Sequence, residues 1–292
     1  MKRFLPLLIA ILAVLPACSV PTVINALVPG DGYRVVHDIP YGDGPRRALD
    51  LYVPEGADGT TPMLVFFYGG GWESGEKESY LFAGQAFASR GYVTAIPDYR
   101  VYPDVRFPDF LRDGAAAVAW ATRHATDYGA QPGPVYLVGH SAGAHIAAML
   151  TLDGQWLGEA GLSPCGAVRA TAGLAGPYDF LPLKRPVLME IFGPEATRPQ
   201  SQPINFVSGS EPPMLLITGR SDTTVLPRNT ENLAARIMER GGEVETLYYD
   251  GIGHIPLVGS LASPLRGLAP ALNDVDDFLR RHRNSDRDQG SC

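Results

Sequence analysis

A chain of 292 residues, 45% hydrophobic and 19% charged, is long enough for one large α/β domain, and its aromatic share of 9% excludes a disordered polymer. Its 24 Lys and Arg against 31 Asp and Glu give a net charge of −7, with no basic block before Arg280-Arg281-His282-Arg283. Nucleic acid is thereby excluded as the main partner, since binding phosphates needs clustered positive charge. With 33 glycines and 26 prolines, the composition suits many strand-to-helix turns better than a helical bundle.

Lys2 and Arg3 precede the apolar run Phe4 to Leu15, and the small residue Ala17 follows, so residues 1–17 read as a secretory signal. The run is too short for a stable membrane span. Leu15-Pro16-Ala17-Cys18 resembles the lipobox of bacterial lipoproteins, although Pro16 departs from the small or aliphatic residue usual there. That resemblance implies lipidation of Cys18 and an anchor in the outer membrane or periplasm. Residues 18–30 read as a tether and 285–292 as a polar tail around a single domain at 31–284. Of the other two cysteines, Cys165 lies in a Ser-Pro-Cys-Gly loop and Cys292 ends the tail; spacing alone decides nothing, and both are expected to be unpaired.

Eight runs of β-type residues follow in order: Tyr33 to Ile39, Ala48 to Val53, Met63 to Tyr68, Tyr92 to Ile96, Val135 to Val138, Ala170 to Leu174, Met214 to Thr218 and Val244 to Tyr249. The first two read as a hairpin through Gly42-Asp43-Gly44-Pro45. The later ones alternate with helical patterns at Tyr80 to Arg90, Asp109 to Tyr128, Arg228 to Arg240 and Pro264 to Arg283. This βα alternation predicts a mostly parallel, eight-stranded sheet flanked by helices. Leu64 to Phe67 and Leu215 to Ile217 are continuous apolar runs of the kind buried on both faces. Glycines at 91, 129 and 241 end three of the helices. The interval 177–211 carries six prolines and cannot form one long helix, so it reads as a short cap. Tyr178, Leu183, Met189, Ile191 and Phe192 of that cap, with Trp72 and Ile255, are candidates to line a substrate pocket.

Gly139-His140-Ser141-Ala142-Gly143 joins a strand to an Ala-rich helix, the setting of a nucleophile elbow. Flanking glycines are needed because a serine on so sharp a turn has strained backbone angles and the two elements nearly touch. A serine hydroxyl needs a base, and the base an orienting acid. Among six histidines, His140 points away from Ser141, His145 lies a turn into the same helix, His37 and His124 sit in an early strand and a helix end, and His282 lies in the charged tail. His254, in Gly251-Ile252-Gly253-His254 after the last strand, reaches the correct edge of the sheet. Asp222, after the strand Met214 to Thr218, is the leading acid, with Asp250 its main rival and Asp179 behind. Gly69-Gly70-Gly71-Trp72 follows the third strand, where the N–H groups of Gly70 and Gly71, with that of Ala142, are placed to receive an oxyanion. The loop lacks the Gly-Lys-Ser/Thr ending of a phosphate loop, and no paired metal-ligand spacing occurs, so neither metal nor cofactor is expected.

These pieces together, Phe67-Tyr68-Gly69-Gly70-Gly71-Trp72, Asp98-Tyr99-Arg100, Gly139 to His145, Gly219-Arg220-Ser221-Asp222 and Gly253-His254, resemble the esterase/lipase group of α/β-hydrolases related to hormone-sensitive lipase, kynurenine formamidase and bacterial carbohydrate-esterase-like enzymes. The resemblance covers nearly all of Tyr33 to Arg283. It implies a carboxylic-ester hydrolase with Ser141 as nucleophile, His254 as general base and acid, and Asp222 as its orienter. Tyr68 stands where the group usually has His, which alters how the glycine loop is held. Asp98 and Arg100 are expected to form a salt-bridged brace beneath that loop. The small cap favours short-chain or acetyl esters; an arylformamidase-like amide hydrolase and a catalytically silent binding module are the alternatives.

Overall fold

The computed structural model describes residues 24–283. The expected signal, Cys18, and the whole of the tail with Cys292 lie outside the described residues. Where the tether was expected to continue, the chain is already docked: Asn25 donates to the Glu78 carbonyl at 2.9 Å and accepts the Phe82 N–H at 3.2 Å.

Eight strands form one sheet: β1 (Tyr33–Pro40), β2 (Ala48–Pro54), β3 (Met63–Phe67), β4 (Val93–Pro97), β5 (Val135–His140), β6 (Val168–Leu174), β7 (Met214–Gly219) and β8 (Val244–Tyr249). Their spatial order is β1-β2-β4-β3-β5-β6-β7-β8. The pairs β1·β2 and β2·β4 are antiparallel and the rest parallel, as the alternation predicts. Every residue of β3 and β5 is buried, which is why those runs are apolar without alternation. From β3 the chain steps to β4 on one side and then crosses to β5 on the other. The crevice beyond the carboxyl ends of β3 and β5 is therefore the topological switch point, where open α/β sheets bind ligands.

From β3 onward the helices are α1 (Leu81–Ala88), α2 (Asp109–His124), α3 (Ala142–Leu152), α4 (Gly154–Glu159), α5 (Pro164–Ala167), α6 (Pro186–Phe192), α7 (Arg228–Glu239), α8 (His254–Gly259) and α9 (Ala271–Arg281). All eleven residues of α3 are buried, because sheet, α2 and cap enclose it. In α7 only one stripe is buried, Asn229, Thr230, Leu233, Ala234 and Ile237, at the spacing of a one-faced helix. The cap consists of α6 and two 3₁₀ turns, Glu195–Ser201 and Pro203–Phe206. No helix among the described residues is long and apolar enough to cross a membrane.

Three expectations need correction. The last helix starts at Ala271 rather than Pro264: Pro270 has no N–H to continue an earlier turn and stands just before α9, which leaves Leu268 48% exposed. Helix α2 stops at His124 and tightens into a 3₁₀ turn before Gly129, whose φ is 75°. Cys165 is disulfide-bonded rather than free, since approach in space and not distance along the chain decides pairing.

Candidate functional site

Ser141 bridges β5 and α3 with φ 55° and ψ −120°, an unfavourable conformation for a residue with a side chain. Its neighbours leave no alternative to glycine. A Cβ on Gly139 would lie 2.4 Å from the Gly143 carbonyl oxygen, and one on Gly143 2.0 Å from that of Phe67. The tight turn lifts the Ser141 hydroxyl into the crevice at the switch point.

His254 and Asp222 reach the same crevice from the ends of β8 and β7. His254 Nε2 is 2.9 Å from Ser141 Oγ, and its Nδ1 is 2.7 Å from Asp222 Oδ2. The other carboxylate oxygen of Asp222 accepts the N–H groups of Thr224 (2.8 Å) and Val225 (2.9 Å). Burial alone would raise the Asp222 pKa; the His254 contact and these N–H donors outweigh it and hold the carboxyl below its ordinary value. The rival acids are engaged elsewhere. Asp250 is 90% exposed and paired with Arg220 at 3.0 Å, while Asp179 accepts from Asn232 at 2.7 Å.

Sequence reasoning missed two supports of His254. It begins a short helix, α8, concealed by the surrounding glycines and Pro256. His140, set aside as pointing away from Ser141, packs its ring at a tilt against His254 at 4.7 Å between ring centroids, and its Nε2–H donates to the His254 carbonyl at 3.2 Å. The two residues are 114 positions apart, so no local pattern signals the contact. Burial, with His254 beside it, pushes the His140 pKa down to about 3, and burial pushes that of His145 down to about 4. Both rings are therefore neutral in the folded protein. As pH falls below 6.5 the unfolded chain gains these protons first, so the stability they contribute is full above that pH and lost on the way to about 4 and 3. Each steepens the loss by up to about 1.4 kcal/mol per pH unit. The thermal midpoint is expected to fall continuously as pH drops through this window; a flat profile in differential scanning calorimetry would contradict it.

Gly70 and Gly71 have φ of 147° and 64°, and a Cβ on Gly70 would lie 2.0 Å from the Ser74 carbonyl oxygen. The loop turns on the Gly70 carbonyl, which accepts the N–H groups of Glu73 and Ser74 at 3.1 Å. No acceptor among the described residues takes the N–H of Gly70, Gly71 or Ala142. Tyr68 anchors the loop from below: its hydroxyl donates to Asp98 at 2.6 Å and accepts from Arg46 at 2.9 Å, and Arg46 also donates to the Gly75 carbonyl at 2.6 Å. The expected Asp98–Arg100 brace is not formed. Asp98 serves Tyr68 and the Lys77 N–H, whereas Arg100 makes a two-pronged contact with Asp113, at 2.8 Å on each prong.

A cleft of about 370 Å³ opens over Ser141, lined by Gly71, Trp72 and the cap residues Phe180, Leu183 and Leu188. Of the expected pocket residues only Trp72 and Leu183 belong to its lining. Tyr178 is fully buried beneath the cap, in space that Gly173 and Gly176 leave: a Cβ on Gly173 would lie 2.0 Å from its hydroxyl. Phe180, two residues on, takes the place expected for it and stacks on Trp72 at 5.7 Å. Ile255 is 64% exposed and does not belong to the lining. Met189 is also exposed; Ile191 and Phe192 are buried, Phe192 edge-on against Trp72.

The BD-FAE family model matches residues 49–237. A probable isoprenylcysteine alpha-carbonyl methylesterase of Arabidopsis thaliana is 30% identical over 255 residues, 80% of this chain and 53% of that protein. Esterase LipC of Mycobacterium tuberculosis is 29% identical over 243 residues, 76% of this chain and 60% of its own. The chain thus spans between half and two thirds of the length of these relatives. Among solved structures, Thermogutta terrifontis esterase 2 superposes with a TM-score of 0.70 at 25% identity, covering 87% of this chain and 96% of that one. That esterase has also been solved with propionate bound.

Proposed function

Because the chain belongs to the BD-FAE family, a set of α/β-hydrolase folds that includes esterases among its relatives, we propose that it is a serine carboxylic-ester hydrolase acting on short-chain or acetyl esters. The observation that carries the reading is the unbroken run of contacts from Asp222 through His254 to Ser141, ending beside three unpaired N–H groups. Ser141 Oγ attacks the ester carbonyl while His254 Nε2 removes its proton, and the Asp222 carboxylate stabilises the resulting imidazolium. The N–H groups of Gly70, Gly71 and Ala142 receive the charge that develops on the carbonyl oxygen, each such donor being worth about 10²- to 10³-fold in turnover. Collapse of the tetrahedral intermediate breaks the C–O bond, and His254 returns the proton to the departing alcohol. Water, activated by the same histidine, then releases the acid from acyl-Ser141.

A cleft of 370 Å³ sits low in the range of about 300 to 1,000 Å³ of small-molecule sites, which supports a compact ester over a long acyl chain. The propionate complex of the Thermogutta esterase supports the same choice. The enzyme is further proposed to be exported and held in a bacterial envelope through a lipid on Cys18. The order of residues 1–18 supports this, and the disulfide at Cys165 suits an oxidising compartment. One experiment reads both proposals. Cell fractions from wild type and Cys18→Ser are assayed with p-nitrophenyl acetate, butyrate and octanoate. Membrane-bound activity that is released by the substitution, and acetate or butyrate preferred over octanoate, is the expected result. Activity that rises steadily toward octanoate would overturn the short-chain reading, and wild-type activity free of the membrane would overturn the anchor.

A further inference from the structure

The lining of the cleft is chemically lopsided. Trp72, Phe180, Leu183 and Leu188 give it an apolar part, whereas Lys184, Arg185 and Arg228 bring three cations to the same space, and no Asp or Glu lines it. Arg185 is committed to Glu73 at 2.9 Å. Lys184 and Arg228 have no hydrogen-bond or ion-pair partner among the described residues, so two positive charges face the cleft uncompensated in a protein whose net charge is −7.

Arg228 is also placed against local electrostatics. It is the first residue of α7, a twelve-residue helix, where the positive end of the macrodipole disfavours a cation and favours an anion. Glu231 shares that first turn, but no ion pair joins it to Arg228 among the described residues. An anion in the cleft would meet the Arg228 guanidinium, the Lys184 ammonium and the helix end together. Low-dielectric walls of a cleft also focus such a field onto a charged ligand.

We propose that the substrate is an ester carrying a carboxylate, which Lys184 and Arg228 bind while Ser141 attacks the ester carbonyl. This rests on the ester-hydrolase reading of the same cleft. The carboxylate belongs to either the alcohol half or the acyl half of the ester, and two substrate pairs separate the cases. For the alcohol half, 3-acetoxybenzoate is compared with 3-acetoxybenzamide; for the acyl half, phenyl hydrogen adipate is compared with phenyl adipamate. Within each pair the two esters are close in size and differ at one group, a carboxylate against its neutral amide.

The quantity read is the ratio of kcat/KM for the anionic to the neutral ester, which cancels any general effect of a substitution. In the wild type the ratio is expected to exceed about fivefold in one pair, chiefly through KM, and to collapse as salt is raised to about 1 M, where screening acts within about 3 Å. In K184Q/R228Q it is expected to fall to about one, and in K184E/R228E below one. Turnover of the neutral esters with ratios near one in both pairs would overturn the proposal and leave the esterase standing. A ratio that survives K184Q/R228Q would also overturn it. If no ester is hydrolysed, the esterase reading fails first and the proposal with it.

Discussion

Ser141→Ala is expected to lower kcat on p-nitrophenyl acetate by about 10⁶-fold, with KM little changed and the fold intact. The magnitude follows from the site acting as one unit: without the hydroxyl there is no acyl-enzyme, and His254 and Asp222 have nothing to activate. Residual catalysis of about 10³- to 10⁴-fold over water is expected from the oxyanion donors and binding alone. The substitution leaves the backbone strain at φ 55° in place, since Ala keeps the Cβ that causes it, so thermal stability should shift little. Steady-state kinetics with circular dichroism on both proteins checks the result; a loss of less than about tenfold would mean that another group attacks the ester.

Asp222→Asn is expected to cost about 10⁴-fold in kcat, whereas Asp250→Asn costs less than about twofold. The backbone dictates why the amide fails. Thr224 and Val225 donate N–H bonds to Asp222 Oδ1, so an Asn keeps its oxygen on that side and turns its NH₂ toward His254 Nδ1. The imidazole must then accept at Nδ1 and carry its proton on Nε2, the tautomer that cannot take a proton from Ser141. Asp250, exposed and paired with Arg220, touches none of this. Comparable losses in both variants, measured on the same ester, would reject the assignment of the acid.

The central strands were legible because a parallel sheet covered on both faces requires runs such as Met63 to Phe67, which no surface element tolerates. Helix ends were legible where glycine adopts the left-handed conformation, at Gly91 with φ 84° and Gly241 with φ 79°. The elbow was legible because sterics at Gly139 and Gly143 admit nothing larger, and chain order picked out the His254 and Asp222 that the fold brings to Ser141. What stayed hidden depends on contacts between distant segments. The ring of Tyr178 turns inward because Gly173 and Gly176 leave space for it, and only the neighbouring Phe180 reaches the cleft. Asp98 and Arg100 are two residues apart yet serve different partners, Tyr68 and Asp113, which spacing cannot distinguish. His140 meets His254 only after β5 and the β8 edge have been assembled around β6 and β7.

Intact-mass analysis and peptide mapping of the purified protein after treatment with a fluorophosphonate test the nucleophile most directly. The expected result is one adduct per chain, located on Ser141, with esterase activity lost in proportion to labelling and no adduct on Ser141→Ala. An adduct at any other residue, or full esterase activity in a protein that takes no adduct, would contradict the account.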